Sequence, residues 1–493
     1  MKLNELTLKE ASEGLKEKKF SSVDIAKACL DRIKSVDKKI NAYLLVDEEG
    51  ALKSAKESDK RRNKGRAKSG IDGVPYNLKD VYCTKGMKTT AASKILEDFV
   101  PPYSATVYEK LSDAGAVLLG KVNTDEFTMG SSTEASAFGV TRNPWDLNRV
   151  SGGSSGGSAA SVAADECIFS LGTDTGGSIR QPASFNSVAG LKVTYGLVSR
   201  YGVMSYASSF DTIGPLAKRV EDVAIILNLI TGKDPKDGTT VTKKLPDYTK
   251  SFKNDAKKIK IGLPKEFFGK GIDTEVIKVI SKAVEDIKKM GMEVEETSLS
   301  MTEYAIALYY IIAKSEVSSN LARFDGIKYG ASTLKEVRDK RQETNLLSVY
   351  SRTRGQCLGA EAKRSIMLGT YTLSSGYYEA YYKKASQVRT LIKEEYEKNF
   401  QKFDLLLSPV SPTPAFKVGE KVSDPLKMYL SDVHTVPINP AGIPAMSVPA
   451  GFTKDGLPVG LQIMGPQLGE SEILRFAKKF EENTPWHKEK PKI

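Results

Sequence analysis

At 493 residues, with 40% hydrophobic and 27% charged side chains, the chain can bury a substantial core, as one very large domain or two to three smaller ones. No apolar stretch reaches about 18 residues, which excludes an evident membrane-spanning helix, and the start Met1-Lys-Leu-Asn-Glu-Leu-Thr7 lacks the apolar centre of a signal peptide. The formal charge of +12, from 73 basic and 61 acidic residues, raises nucleic-acid binding as a class. However, the densest basic run, Lys60–Lys68, carries no interleaved aromatics and reads as a solvated loop.

In chain order, the amino-terminal segment, about 1–60, reads as helices. Thr7-x-x-Glu10 is a capping-box pattern, and Ser21-Ser22 opens an amphipathic run through Ile25, Cys29, Leu30 and Ile33. Gly73-Val-Pro-Tyr-Asn-Leu-Lys79 alternates as a strand, with Lys79 on one face among apolar neighbours. Strands and helices then alternate through Ala116–Gly120, a small-residue helix after Gly156, and Cys167–Leu171, so that Ser178 falls after a strand and before a helix. That alternation argues for an α/β fold with a largely central sheet.

Farther along, Ile259–Pro264 reads as a strand and Thr274–Met290 as a helix. A long polar helical stretch runs to about Glu394, and buried strands return at Asp404–Ser408, Ala445–Pro449 and Val459–Met464. Lys454-Asp-Gly456 reads as the turn of a hairpin.

The chemistry concentrates in two glycine-serine clusters, Ser151-Gly-Gly-Ser154-Ser-Gly-Gly-Ser158 and Asp174-Thr-Gly-Gly-Ser178-Ile-Arg180. Glycines around a serine let a backbone come close to it and turn its amides toward a developing oxyanion. Histidine is the usual base for such a serine, but the chain has only His434 and His487, the latter in a charged tail read as solvated. Lysine is the alternative. On a strand flanked by apolar residues, Lys79 loses hydration, its pKa falls, and the neutral amine can take a proton.

Neither cluster has the lysine of a phosphate-binding loop or the spacing of a dinucleotide fingerprint. Cys29, Cys83, Cys167 and Cys357 show no zinc-type spacing, so no metal site is expected, and unpaired cysteines fit a reducing, cytoplasmic setting.

Gly73-x-Pro75-x-x-x-Lys79-Asp80, Gly152-Gly-Ser154-Ser-Gly-Gly157 and Asp174-x-Gly-Gly-Ser178-Ile-Arg180-x-Pro182-Ala183 together resemble the amidase signature family. Each stretch alone is weak. Three in order, each holding its reactive residue, are specific. The resemblance implies Ser178 as nucleophile, Ser154 as a bridging serine preceded by a cis peptide bond, and Lys79 as terminal base. Thr175, Gly176, Gly177 and Ser178 are the natural backbone donors for the oxyanion. Ser151, Ser155 and Ser158 read as residues that cap or line the following helix, with a supporting hydrogen bond as a second role for Ser155. The family's fold is a large mixed sheet surrounded by helices. Residues 1–493 are accordingly expected to form one amidase domain with a more helical insertion over about 270–395.

Within the family, Asn123–Gly130, Ser315–Gly326 and Leu368–Tyr378 resemble the glutaminase subunits of tRNA-dependent amidotransferases. That likeness implies glutamine as the amide donor, B and C subunits as partners in a heterotrimer, and ATP and magnesium bound by a partner. The likeness also implies Glu-tRNA(Gln) as the acceptor, with Asp-tRNA(Asn) a further one and the preference between them left open. Asp432 is the residue expected to hold the glutamine amine and Tyr309 a neighbour, both carried over from family positions. Where the family often has Lys-Arg-Arg, this chain reads Lys363-Arg364-Ser365. The arginine expected to clamp glutamine aligns with Ser365, and Arg364 is its candidate substitute. The competing readings are a free-standing amidase for a small amide, an inactive amidase-like adaptor, and a direct RNA-binding protein.

Overall fold

The computed structural model describes residues 2–253, 259–269, 271–334 and 345–493. Thirteen strands are found among them: β1 (Tyr43–Val46), β2 (Pro75–Lys79), β3 (Val117–Val122), β4 (Arg142–Asn143), β5 (Asp146–Val150), β6 (Phe169–Asp174), β7 (Ala189–Lys192), β8 (Thr212–Ala217), β9 (Lys260–Pro264), β10 (Glu293–Thr297), β11 (Leu405–Pro409), β12 (Ala445–Phe452) and β13 (Pro458–Met464). β4 and β5 pair separately, and the other eleven form one mixed sheet in the order β1-β3-β2-β6-β8-β7-β12-β13-β11-β9-β10. The α/β expectation of a large mixed sheet wrapped by helices describes this architecture.

The sheet explains where the reactive lysine ends up. β2 runs parallel to β3 on one side and to β6 on the other. Helices cover both faces of such parallel strands, so polar and apolar positions alike are buried. All five residues of β2 are buried, and the Tyr76 ring stacks on Phe169 of β6 at 5.2 Å. The carboxyl-terminal strands close the same sheet: β12 pairs antiparallel with β7, and β13 with both β12 and β11.

Several expected elements shift. The expected capping box forms at Thr7/Glu10, and the structure adds a second at Ser21/Asp24. The helical segment over about 1–60 is nevertheless interrupted, because the helix Ser22–Ile40 ends at Asn41 in the left-handed conformation, φ 59°, and the apolar Tyr43–Val46 pairs with β3. The basic run is only partly a loop: the helix Glu48–Asn63 takes in its first residues, Arg61 pairs with buried Asp72 at 2.6 Å, and Arg62 donates to the Asp72 and Gly70 carbonyls. The helical insertion over about 270–395 begins inside the sheet, since the helix Thr274–Lys289 returns through edge strand β10 beside β9. It continues as the helices Ala305–Leu321, Leu346–Cys357, Ala360–Leu373 and Lys384–Phe400; its residues 270 and 335–344 lie outside the described residues.

Candidate active site

Lys79 ends β2, with its ammonium group turned into a ring of hydroxyls. Its Nζ lies 2.7 Å from Ser154 Oγ, 2.8 Å from Thr173 Oγ1 and 2.9 Å from Ser155 Oγ. None of these partners carries a charge. Burial therefore pushes the Lys79 pKa down to about 7, against the smaller opposing pull of Asp125, Asp174 and Asp211. A lysine in this setting exchanges a proton near neutrality.

Ser154 is fully buried and follows a cis peptide bond, Gly153–Ser154. The loop before it is held by Gln181, whose Oε1 accepts from the Gly153 N–H at 3.0 Å. Ser155 precedes the helix Gly156–Ala163 but gives it no side-chain cap. Its hydroxyl is occupied by Lys79 and donates to the Thr173 carbonyl at 3.1 Å. The supporting role is thus the one the geometry realises.

Ser178 is less buried than its two neighbours in the relay and lines a cavity of about 520 Å³. Its carbonyl accepts from the Ser155 N–H at 3.1 Å, which joins the two serine loops directly. The loop from Asp174 to Arg180 is pinned by an ion pair that sequence reasoning missed. Arg180 donates from Nε and NH2 to the Asp174 carboxylate at 3.0 and 2.9 Å, and also reaches Asn439, Gln462 and the Thr435 carbonyl. Burial alone would raise the Asp174 pKa. The adjacent Arg180 guanidinium outweighs it and holds the carboxyl well below the usual carboxylate range.

The same pinning reaches Gly177, whose N–H donates at 2.9 Å to Asp174 Oδ1. Gly176 and Ser178 line the cavity, while buried Thr175 is tied through its hydroxyl to Asp211 at 2.6 Å. Two glycines are required sterically. A Cβ on Gly176 would meet the Tyr309 ring at 2.7 Å, and one on Gly177, φ +137°, would meet Thr435 Oγ1 at 2.2 Å.

The expected substrate-binding residues converge on the same cavity: Tyr309, Arg364 and Asp432 all line it. Asp432 bonds to the Ser131 hydroxyl and accepts from Gln181 Nε2 at 3.3 Å. Burial raises its pKa to about 7, with the Ser131 bond opposing. Tyr309 is buried against Phe210, ring centroids 5.6 Å apart. Arg364 is partly exposed and pairs with Glu361, whose other oxygen holds buried Lys314 at 2.8 Å. Ser365, where the family pattern expects the arginine, is buried, with its Oγ 2.7 Å from Lys314 Nζ. Lys314, Glu361 and Ser131 belong to no motif visible in the sequence.

The histidines stand apart. His434 is buried edge-on to Phe267, and burial lowers its pKa to about 3. His487, expected in a solvated tail, is half-buried, and its carbonyl accepts from Arg219.

The family profile described as Amidase matches residues 24–474. The chain is 54% identical over 494 residues to the A subunit of the glutamyl-tRNA(Gln) amidotransferase of Carboxydothermus hydrogenoformans, covering 100% of both. It is 52% identical over 490 residues to the protein of that name from Trichormus variabilis, covering 99% of each. Among solved structures, the A subunit of the Thermotoga maritima glutamyl-tRNA(Gln) amidotransferase superposes with a TM-score of 0.80 at 39% identity, covering 98% of this chain and 96% of that one. This chain belongs to the amidase signature family, in which the three relatives just described are amidotransferase A subunits.

Proposed function

We propose that the chain is the glutaminase subunit of a tRNA-dependent amidotransferase. The observation that carries the mechanism is the 2.7 Å contact between Ser154 and a buried lysine with no carboxylate among its hydrogen-bond partners. Neutral Lys79 takes the Ser154 proton as Ser154 takes that of Ser178. Ser178 Oγ then attacks the side-chain amide carbon of glutamine. The backbone amides of Gly176 and Ser178, with Thr175 behind them, are the donors for the oxyanion. As the tetrahedral intermediate collapses, the C–N bond breaks and the relay returns its proton to nitrogen, releasing ammonia and leaving a γ-glutamyl ester on Ser178. Water attacks this ester by the same route and yields glutamate.

In this reading Asp432 receives the glutamine ammonium, which would keep its buried carboxyl ionised, and Tyr309 packs the floor of the site. Residues 1–493 act as one amidase domain. B and C subunits complete a heterotrimer in the cytoplasm, and a partner binds ATP and magnesium to activate the glutamate of Glu-tRNA(Gln), or the aspartate of Asp-tRNA(Asn), for attack by the ammonia. The name and full-length identity of the relatives support this assignment over a free-standing amidase.

The test is ammonia release from glutamine by the chain alone and with its B and C subunits, misacylated tRNA and ATP, beside Ser178→Ala. Release that rises on assembly and vanishes in the variant is expected. Hydrolysis of simple amides with glutamine ignored would assign a free-standing amidase instead.

A further inference from the structure

The cavity wall holds a buried cation that the mechanism above does not use. Lys314, on the helix Ala305–Leu321, has a side chain only 3% exposed yet lines the same cavity as Ser178 and Asp432. Its Nζ contacts Glu361 Oε1 at 2.8 Å and Ser365 Oγ at 2.7 Å, and lies 5.3 Å and 5.4 Å from the ring centroids of Tyr310 and Tyr429. Glu361 does not belong to Lys314 alone. Arg364 pairs with its second oxygen, and the Tyr429 hydroxyl donates to its first at 2.9 Å.

One carboxylate therefore serves two cations, buried Lys314 and partly exposed Arg364, so this part of the wall carries a net positive charge. An anionic group arriving with a ligand would balance it. The other lysines on the wall are engaged elsewhere: Lys94 with Glu97 at 3.1 Å, and Lys421 with Ser431 at 2.8 Å above the Phe416 ring. Asp432 supplies the opposite charge in the same cavity, so the two groups together suit a zwitterion.

We propose that Lys314 is the anchor for the α-carboxylate of the amide donor, with Arg364 at the more exposed edge of the pair. Ser365 carries no charge; its neighbour on the facing helix brings the cation to within 2.7 Å of its hydroxyl. The proposal rests on glutamine being the donor and specifies how this chain selects it. Lys314 acts in binding and leaves the proton relay untouched.

The experiment compares ammonia release from glutamine and from glutamine methyl ester, which keeps the side-chain amide and loses the carboxylate charge, in the full chain assembled with its partner subunits. Lys314→Met is expected to lower kcat/KM for glutamine about 30-fold, mostly through KM, and that for the ester by less than about threefold. Lys314→Arg keeps the preference, and Ser365→Arg added to Lys314→Met restores most of it. Glu361→Gln, which leaves the two cations unopposed, lowers KM for glutamine and not for the ester; it also decides the matter should Lys314→Met fail to fold. Equal losses on both substrates in Lys314→Met, or an unchanged preference for glutamine, would overturn the assignment while leaving the glutaminase intact. A wild-type complex that releases no ammonia from glutamine overturns the functional reading and this one with it.

Discussion

Two buried lysines on neighbouring strands show what makes one of them a base. β2 and β3 pair with Leu78 opposite Lys121 and Lys79 opposite Val122, so the two lysines point to opposite faces of the sheet. Both are fully buried, and burial lowers the pKa of both. Lys121 meets Asp80 in an ion pair at 3.1 Å and donates to the Tyr82 carbonyl and Thr89 hydroxyl at 2.7 and 3.0 Å. Lys79 meets three hydroxyls. Burial supplies the downward shift in each case; a carboxylate partner gives part of it back and fixes the charge. The relay needs a lysine that can lose its proton, and the sheet provides it by surrounding Lys79 with groups that can accept or donate.

The comparison breaks if the two lysines respond alike to removal. Ser178→Ala and Lys79→Met are expected to lower glutamine-dependent ammonia release by about 10⁴-fold while the melting temperature stays at or above that of the native chain. Lys121→Met should do the reverse: it strands Asp80 as an unpaired buried carboxylate and costs about 3–5 kcal/mol of stability. Activity of the protein that still folds should then persist, as read by activity per folded molecule from denaturant titration. Loss of stability in Lys79→Met with activity retained would remove the distinction.

A pH profile sharpens it next. Lys79 must be neutral to accept a proton, so kcat/KM should rise about tenfold per unit below pH of about 7 and level off above it. Stability carries the matching sign. The folded pKa lies below the unfolded value of 10.5, so the unfolded chain binds more protons between about 7 and 10.5, and the Lys79 contribution to stability grows as pH rises through that window. An acid limb that is unchanged when Lys79 is replaced in a partly active variant would assign the titration to another group.

What could be read from the sequence follows the range of the interactions. Lys79, Ser154 and Ser178 each sit in a short motif whose glycines and flanking residues act locally, and the strand before Ser178 and the helix after it were legible for the same reason. Ser155 was ambiguous because a serine before a helix usually caps it; only the approach of β2 gives its hydroxyl to Lys79. The Arg180 clamp joins Asp174 to Asn439 and Gln462 across the sheet, and nothing in local spacing announces such partners. Lys314 looks like any of the chain's many lysines until its helix packs on Ala360–Leu373 and brings it to Glu361 and Ser365. β10 was hidden because it is a largely exposed edge strand, Glu293-Val-Glu-Glu-Thr297, without the apolar signal of a central one.

The smallest effect probes the hydroxyl ring itself. Thr173 Oγ1 stands 2.8 Å from Lys79 Nζ, close enough to solvate an ammonium, and valine keeps its shape without the oxygen. Thr173→Val should make the charged form of Lys79 less favourable and move the acid limb of the pH profile down by about one unit. The plateau should change by less than about threefold, because Ser154 and Ser178 keep their places in the relay. A limb that moves upward instead would mean that Thr173 stabilises the neutral amine. The hydroxyls would then tune the base in the opposite sense to the Asp80 carboxylate beside Lys121, and the contrast between the two lysines would rest on more than the absence of a charge.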